Sequence, residues 1–189
     1  MDPLTGEEDL RDLVRRAQAG EAGALDELLA HVQPLVVRRC ARLLPYRLDA
    51  EEAAQDALLA VARGLAGFGG RGSFRGWVTV VASNSARATY RSLRRRAEVA
   101  APVALEVTDP QTTSVIAGTR LDLLESLDAL AATYPDLVEP FVLRDLGELG
   151  YAEIATQLDL PLTTVKDRIH RARTFVRGRL SDSLDRSRR

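Results

Sequence analysis

The side chains best suited to act on another molecule are concentrated between Tyr151 and Arg179. Lys166, Arg168, His170, Arg171, Arg173 and Arg177 crowd into this stretch, while Val165, Ile169, Ala172 and Val176 recur at helical spacing as one apolar stripe. A helix that buries the stripe leaves its cationic side free, and such a surface binds phosphates and reaches base edges in a DNA major groove. A shorter helix, Tyr151 to Leu158, precedes it, and Asp159-Leu160-Pro161 separates the two. Asp tolerates left-handed backbone, and proline suits a helix start. Helix, tight turn and second helix together give the geometry by which a recognition helix enters the groove. A charge run alone is usually a solvated face; the turn and the packed first helix favour DNA contact here.

Composition limits the remaining choices. The chain has 189 residues, 46% hydrophobic and 28% charged, which fits one medium globular domain or two small ones. Its formal net charge is −1, so an affinity for nucleic acid has to come from segregation of charge. Acids crowd positions 7–9 and 49–56, whereas arginines crowd 87–96 and 166–179, implying both a protein partner and a polyanion partner. Cys40 is the only cysteine, so no internal disulfide forms; its apolar helical setting predicts a buried thiol and the chain fits a reducing cytoplasm. No signal peptide and no apolar run long enough to span a bilayer are evident, so no membrane insertion is expected. His31 and His170 are far apart, and no Walker loop, zinc spacing or nucleophile elbow occurs. The expectation is no enzyme, no catalytic residue, no cofactor and no metal.

Helical periodicity runs through most of the sequence. Leu10, Leu13, Val14 and Ala17 predict a first amphipathic helix ending near Gly20. Leu25, Leu28, Leu29, Val32, Leu35 and Val36 predict a second, which Pro34 should kink or split. Asp49 with Glu52 reads as a capping box opening a third helix to about Leu65, with Ala53, Ala54, Ala57, Leu58 and Val61 inward. A glycine-rich loop, Phe68 to Gly72, leads to Ser73, the expected N-cap of a fourth helix to about Arg96. Between Glu98 and Thr119 prolines, serines and threonines appear without a basic residue, which predicts a linker. Helices from Leu121 to Ala132 and from Pro135 to Leu146 then lead into the helix-turn-helix. The expected organisation is all-α, with two small helical domains joined by a flexible linker: 8–97, an acidic linker 98–119, a helix-turn-helix domain 120–180, and a fraying polar tail 181–189.

This arrangement resembles the extracytoplasmic-function (ECF) sigma factors of bacterial RNA polymerase over nearly the whole chain. The resemblance rests on Asp49-Ala-Glu-Glu-Ala-Ala-Gln-Asp56, Phe68 through Trp77, Ala82-Ser-Asn84 with the arginine-rich helix after it, Tyr151-Ala-Glu-Ile-Ala, and Thr164 through Arg173, in that order. It implies that Asp49, Glu52, Gln55 and Asp56 dock on core polymerase, Gln55 and Asp56 lying beyond the helix turn whose acids the dipole already favours. Phe68, Arg71, Ser73, Phe74, Trp77 and Asn84 would hold the melted minus-ten element, where an unstacked base needs a stacking surface and hydrogen bonds. Phe74 and Trp77 read equally well as core aromatics. Arg87, Arg91, Arg94 and Arg95 would meet phosphates of the same element. Arg144, Tyr151, Pro161, Thr163, Lys166, Asp167, Arg168 and Arg171 would meet the minus-thirty-five element. Asp167 departs from the small hydroxyl residue usual there; its carboxylate repels phosphate but accepts from a cytosine amino group. Ala152 departs too, where a polar or acidic residue is common.

The function implied is a promoter-specificity subunit that binds core RNA polymerase, recognises promoter DNA and promotes strand opening, with an anti-sigma protein as a further partner. Two rivals remain. A decoy that titrates an anti-sigma protein would need neither the cationic helix nor Asn84. A polymerase-independent helix-turn-helix regulator would need no acidic docking helix.

Overall fold

The computed structural model describes residues 7–70, 72–99 and 113–187, and every regular element among them is helical. The helices are α1 Glu7–Gln18, α2 Ala24–Leu43, α3 Arg47–Gly64, α4 Phe74–Val99, α5 Thr113–Thr133, α6 Pro135–Phe141, α7 Tyr151–Leu158 and α8 Leu162–Ser187. A 3-10 turn, Leu65–Gly67, closes α3, and a wider π turn, Val142–Leu146, extends α6.

Helices α1 to α4 enclose one core. Leu13, Leu28, Val32, Val36, Ala53, Ala57, Val61, Val78 and Ala82 are all essentially inaccessible to solvent. The inner stripe of α3 is mostly alanine, which lets its backbone lie close to α2 and α4, both of which it packs against. Cys40 lies in this core, its Sγ 3.8 Å from the carbonyl of Ala82, and burial pushes its thiol up to about 11. It is a structural thiol, as its apolar setting predicts.

The second unit buries Leu127, Leu130, Leu137, Phe141, Ala172 and Val176 in one cluster, and Leu143, Ile154, Val165 and Ile169 in another beneath the helix-turn-helix. Helix α5 belongs to both units: Leu124 is buried in the first core, while Leu127 and Leu130, one and two turns on, are buried in the second. Val80 on α4 packs against both C-terminal clusters.

Several expectations are corrected. Of the two outcomes expected at Pro34, the split does not occur: helix α2 runs through it as a single element. Helix α3 starts at Arg47, with Tyr46 extended and no side-chain cap, so Asp49 and Glu52 do not form a capping box. Asp49 instead sits in the first turn, where an Arg47–Glu51 pair of 2.7 Å spans i to i+4. Helix α4 reaches Val99 and α5 begins at Thr113, each running into the expected linker bounds, with no proline in either segment to stop it. The core of that linker, 100–112, lies outside the described residues. The tail is helical through Ser187, with Leu180 packed on the core and Ser183 Oγ 2.8 Å from Asp122 Oδ1.

Candidate nucleic-acid interface

The helix-turn-helix is built as its sequence dictates. Glu153 accepts a 2.7 Å hydrogen bond from the Gly150 N–H at the start of α7, satisfying a helix-end donor. Asp159 ends α7 in left-handed backbone at φ 53°, and Pro161 supplies the carbonyl that receives the first α8 N–H, from Val165, at 3.1 Å. Val165, Ile169, Ala172 and Val176 are all buried, so the opposite side of α8 faces outward.

The cations of α8 divide into two sets. Lys166 is exposed, as are Thr163, Asp167, His170 and Arg171. Arg171 lies 3.7 Å from Asp167 one turn back and 5.8 Å from the Tyr134 ring centroid, both loose contacts that leave it able to reach a ligand. By contrast, Arg173 makes a two-pronged pair with Asp145 at 2.6 and 3.0 Å, and Arg168 is half-buried 3.5 Å from Asp136. Arg144 donates to the Leu149 carbonyl at 2.7 Å and lies 4.6 Å from the centroid of the Tyr151 ring. Arg144, Tyr151 and Arg168 thus each have a partner within the same unit. Pro161 is exposed at the turn.

On α3, Glu52, Gln55 and Asp56 are exposed and Asp49 is half-buried. Burial, followed by the charge of Glu52, raises the Asp49 carboxyl above its ordinary value, while Arg96 opposes the rise. Leu48 and Leu59, 78% and 51% exposed, continue the stripe of Glu52 and Gln55 at i−4 and i+4. Both are apolar residues off the alanine stripe, so helical spacing alone carries the signal for them. The exposed acids and the bare leucines thus share one outward face of α3.

The glycine loop meets α4 in an aromatic triangle: Phe68, Phe74 and Trp77 have centroids 5.2 to 5.5 Å apart. Phe74 is buried and acts as core, whereas Phe68 and Trp77 line a cavity of about 410 Å³ with Gly67, Gly69, Glu139, Gln157, Leu158 and Asp159. Gln18 fixes the loop by donating to the carbonyls of Leu65 and Phe68 at 2.9 and 2.8 Å, a role sequence gave no hint of. Gly72 has φ +71°, which favours glycine, and Ser73 Oγ accepts from the Gly76 N–H at 3.4 Å as the expected cap. Arg71 lies outside the described residues.

Asn84 is exposed on α4 and lines a separate cavity of about 230 Å³, so the fold does not bring it into the Phe68 cavity. It accepts from Arg87 Nη1 at 3.4 Å. Arg87 is 7% exposed, its Nε and Nη2 each 3.0 Å from Asp128 Oδ1 on α5, and Arg91 Nη1 reaches the same oxygen at 3.1 Å. Arg94 stands 4.0 Å from Glu125, which also accepts the Tyr90 hydroxyl at 2.8 Å. Arg95 is exposed. The arginine stripe expected to meet phosphates is therefore largely occupied by α5 carboxylates. Among the described residues no group of His, Cys, Asp and Glu could hold a metal, and no helix is long and apolar enough to cross a membrane.

Comparison with known proteins agrees with this geometry. Residues 28–96 match the sigma-70 region 2 family and residues 135–176 the sigma-70 region 4 family, together more than half of the chain. The chain is 29% identical to the RNA polymerase sigma-H factor of Pseudomonas aeruginosa, covering 92% of this chain and 94% of that protein. It is 28% identical to the ECF RNA polymerase sigma-E factor of Escherichia coli, covering 92% and 95%. The solved structure of CnrH, in complex with the cytosolic domain of CnrY, superimposes with a TM-score of 0.52 at 24% identity, covering 93% of this chain and 96% of that one, a likeness of fold.

Proposed function

The chain belongs to the extracytoplasmic-function sigma factors and is a promoter-specificity subunit of RNA polymerase; from that premise we propose how its own residues divide the work. Helix α3 docks on the core enzyme through Glu52, Gln55 and Asp56, with Leu48 and Leu59 supplying apolar contact at either end. Helix α8 lies in the major groove of the upstream element, with Lys166 and Arg171 nearest the DNA and Asp167 reading the base. The cavity between Phe68 and Trp77 accepts a base flipped from the downstream element, and Asn84, Arg87, Arg91, Arg94 and Arg95 follow the strand along α4. The chain contributes positioning and strand separation, and the polymerase performs the chemistry. We propose an anti-sigma protein as a further partner, on the likeness to CnrH, which is solved in complex with the cytosolic domain of CnrY.

One observation carries the proposal most directly. The inward stripe of α8 is completely buried while Lys166, Asp167, His170 and Arg171 stand together on its outer side. Run-off transcription with core polymerase on genomic templates, with and without the chain, is the test. Specific transcripts that depend on the chain are expected, and their absence on every template would sink the reading.

A further inference from the structure

We propose that the cavity between α2 and the turn following the π segment binds a phosphoryl group, a small doubly charged anion held by Arg38, Arg39 and Arg42. The cavity has a volume of about 190 Å³, and Leu35, Gly147 and Glu148 complete its wall. The three arginines stand at positions i, i+1 and i+4 of α2, within about 100° of arc on one side of the helix. None of them has a part in docking or in promoter recognition as assigned above.

Arg39 carries the argument furthest. It is 7% exposed, its Nε is buried without a hydrogen-bond acceptor, and no ion pair involves it among the described residues. A guanidinium does not shed its proton, so burial leaves a charge that an anion alone compensates. Burial, followed by the charge of Arg42, lowers the Arg39 guanidinium below its ordinary value, and Glu148 opposes the fall. Glu148 is the one acid in the cavity wall. Its carboxylate is 3.6 Å from Arg42 with 78% of the side chain exposed, and its backbone is left-handed at φ 61°. That pair is loose and leaves Arg39 unserved. Three cations against one acid leave a surplus of two positive charges, which a phosphate dianion matches and a single carboxylate does not. The turn itself adds no donors, because the N–H groups of Gly147 and Glu148 already donate to the carbonyls of Val142 and Arg144. Recognition therefore falls to the guanidinium forks, whose geometry suits phosphate oxygens.

The test is titration calorimetry of the full chain at constant ionic strength and about pH 7.5, where a phosphate monoester is a dianion. The probes are inorganic phosphate, adenosine monophosphate and acetate. Saturable binding of at least one phosphate probe at a single site is expected, and the tighter of the two names the source of the phosphoryl group. Arg39→Leu should abolish that binding, and Arg38→Ala should weaken it on the order of tenfold. Glu148→Gln, which removes the competing carboxylate, should tighten it by up to about fivefold. Arg38 and Glu148 are outward-facing, so their variants decide the matter even where Arg39→Leu fails to fold. Joint replacement of Lys166 and Arg171 by alanine should leave the titration unchanged. No saturable binding of either phosphate probe would overturn the proposal, as would acetate binding as tightly as phosphate. Binding lost with Lys166 and Arg171 but indifferent to Arg38→Ala and Glu148→Gln would place the anion on α8 and refute the cavity.

Discussion

Lys166 and Arg173 lie two turns apart on α8, about 10 Å along its axis, and both carry a positive charge. The fold separates them. Arg173 holds both Asp145 oxygens at 2.6 to 3.0 Å, and its side chain is 39% exposed against 26% for Asp145. Lys166 is exposed, and no ion pair involves it among the described residues. In the holoenzyme, Lys166→Ala should therefore remove a phosphate contact, lowering promoter affinity about fivefold and the magnitude of the salt slope by about 0.9. It should leave the melting temperature within about a degree, since exposed positions rarely contribute to stability. Arg173→Ala should do the reverse. It breaks a two-pronged pair near the surface and costs about 1 kcal/mol, which is a few degrees of melting temperature, with the salt slope unchanged. The assay is anisotropy of promoter duplex with holoenzyme at several salt concentrations, paired with thermal denaturation of each free chain. If Arg173→Ala flattened the slope as much as Lys166→Ala, at constant melting temperature, the division of α8 into reading and bracing cations would be refuted.

Other outcomes follow from the same geometry. Ile169→Ala, at a site 1% exposed beneath the helix-turn-helix, should cost about 2–5 kcal/mol in thermal or urea unfolding followed by circular dichroism. Joint replacement of Gln55, Asp56 and Leu59 by alanine should weaken binding to core polymerase roughly tenfold or more in calorimetry while leaving the unfolding midpoint nearly unchanged, because all are outward-facing. The Cys40 thiol is raised by burial from 9.0 to about 11, so the unfolded chain releases this proton first as pH rises. Its stability contribution is therefore complete below about pH 9 and lost between there and about pH 11, and wild type should lose more stability over that window than Cys40→Ala.

The elements that periodicity defines were readable in advance because burial alone sets them. Val165, Ile169, Ala172 and Val176 follow the helical repeat, and each is buried. The turn at Asp159 was legible because left-handed backbone favours few residue types. Boundaries were less so: Asp49 has the chemistry of a cap, yet α3 begins at Arg47, since first-turn acids serve the dipole equally well. The fate of individual cations was not legible, because nothing near Arg87, Arg168 or Arg173 in sequence reveals Asp128, Asp136 or Asp145 across the fold. Likewise Phe68 and Asn84 sit on one loop-and-helix unit but open into different cavities, a distinction set by where α6 and α7 pack.

Helix α5 carries a cost for the cell. Its leucines alternate allegiance, with Leu124 in one core and Leu127 and Leu130 in the other, so separating the units strips at least one of these faces of its cover. Bare leucine on a helix invites self-association and recognition by the proteins that remove unfolded chains. An opened chain without a polymerase to shelter it would therefore be short-lived. The helix shared by both cores would thus limit how long a copy with its units apart persists, tying its abundance to the core enzyme free to receive it.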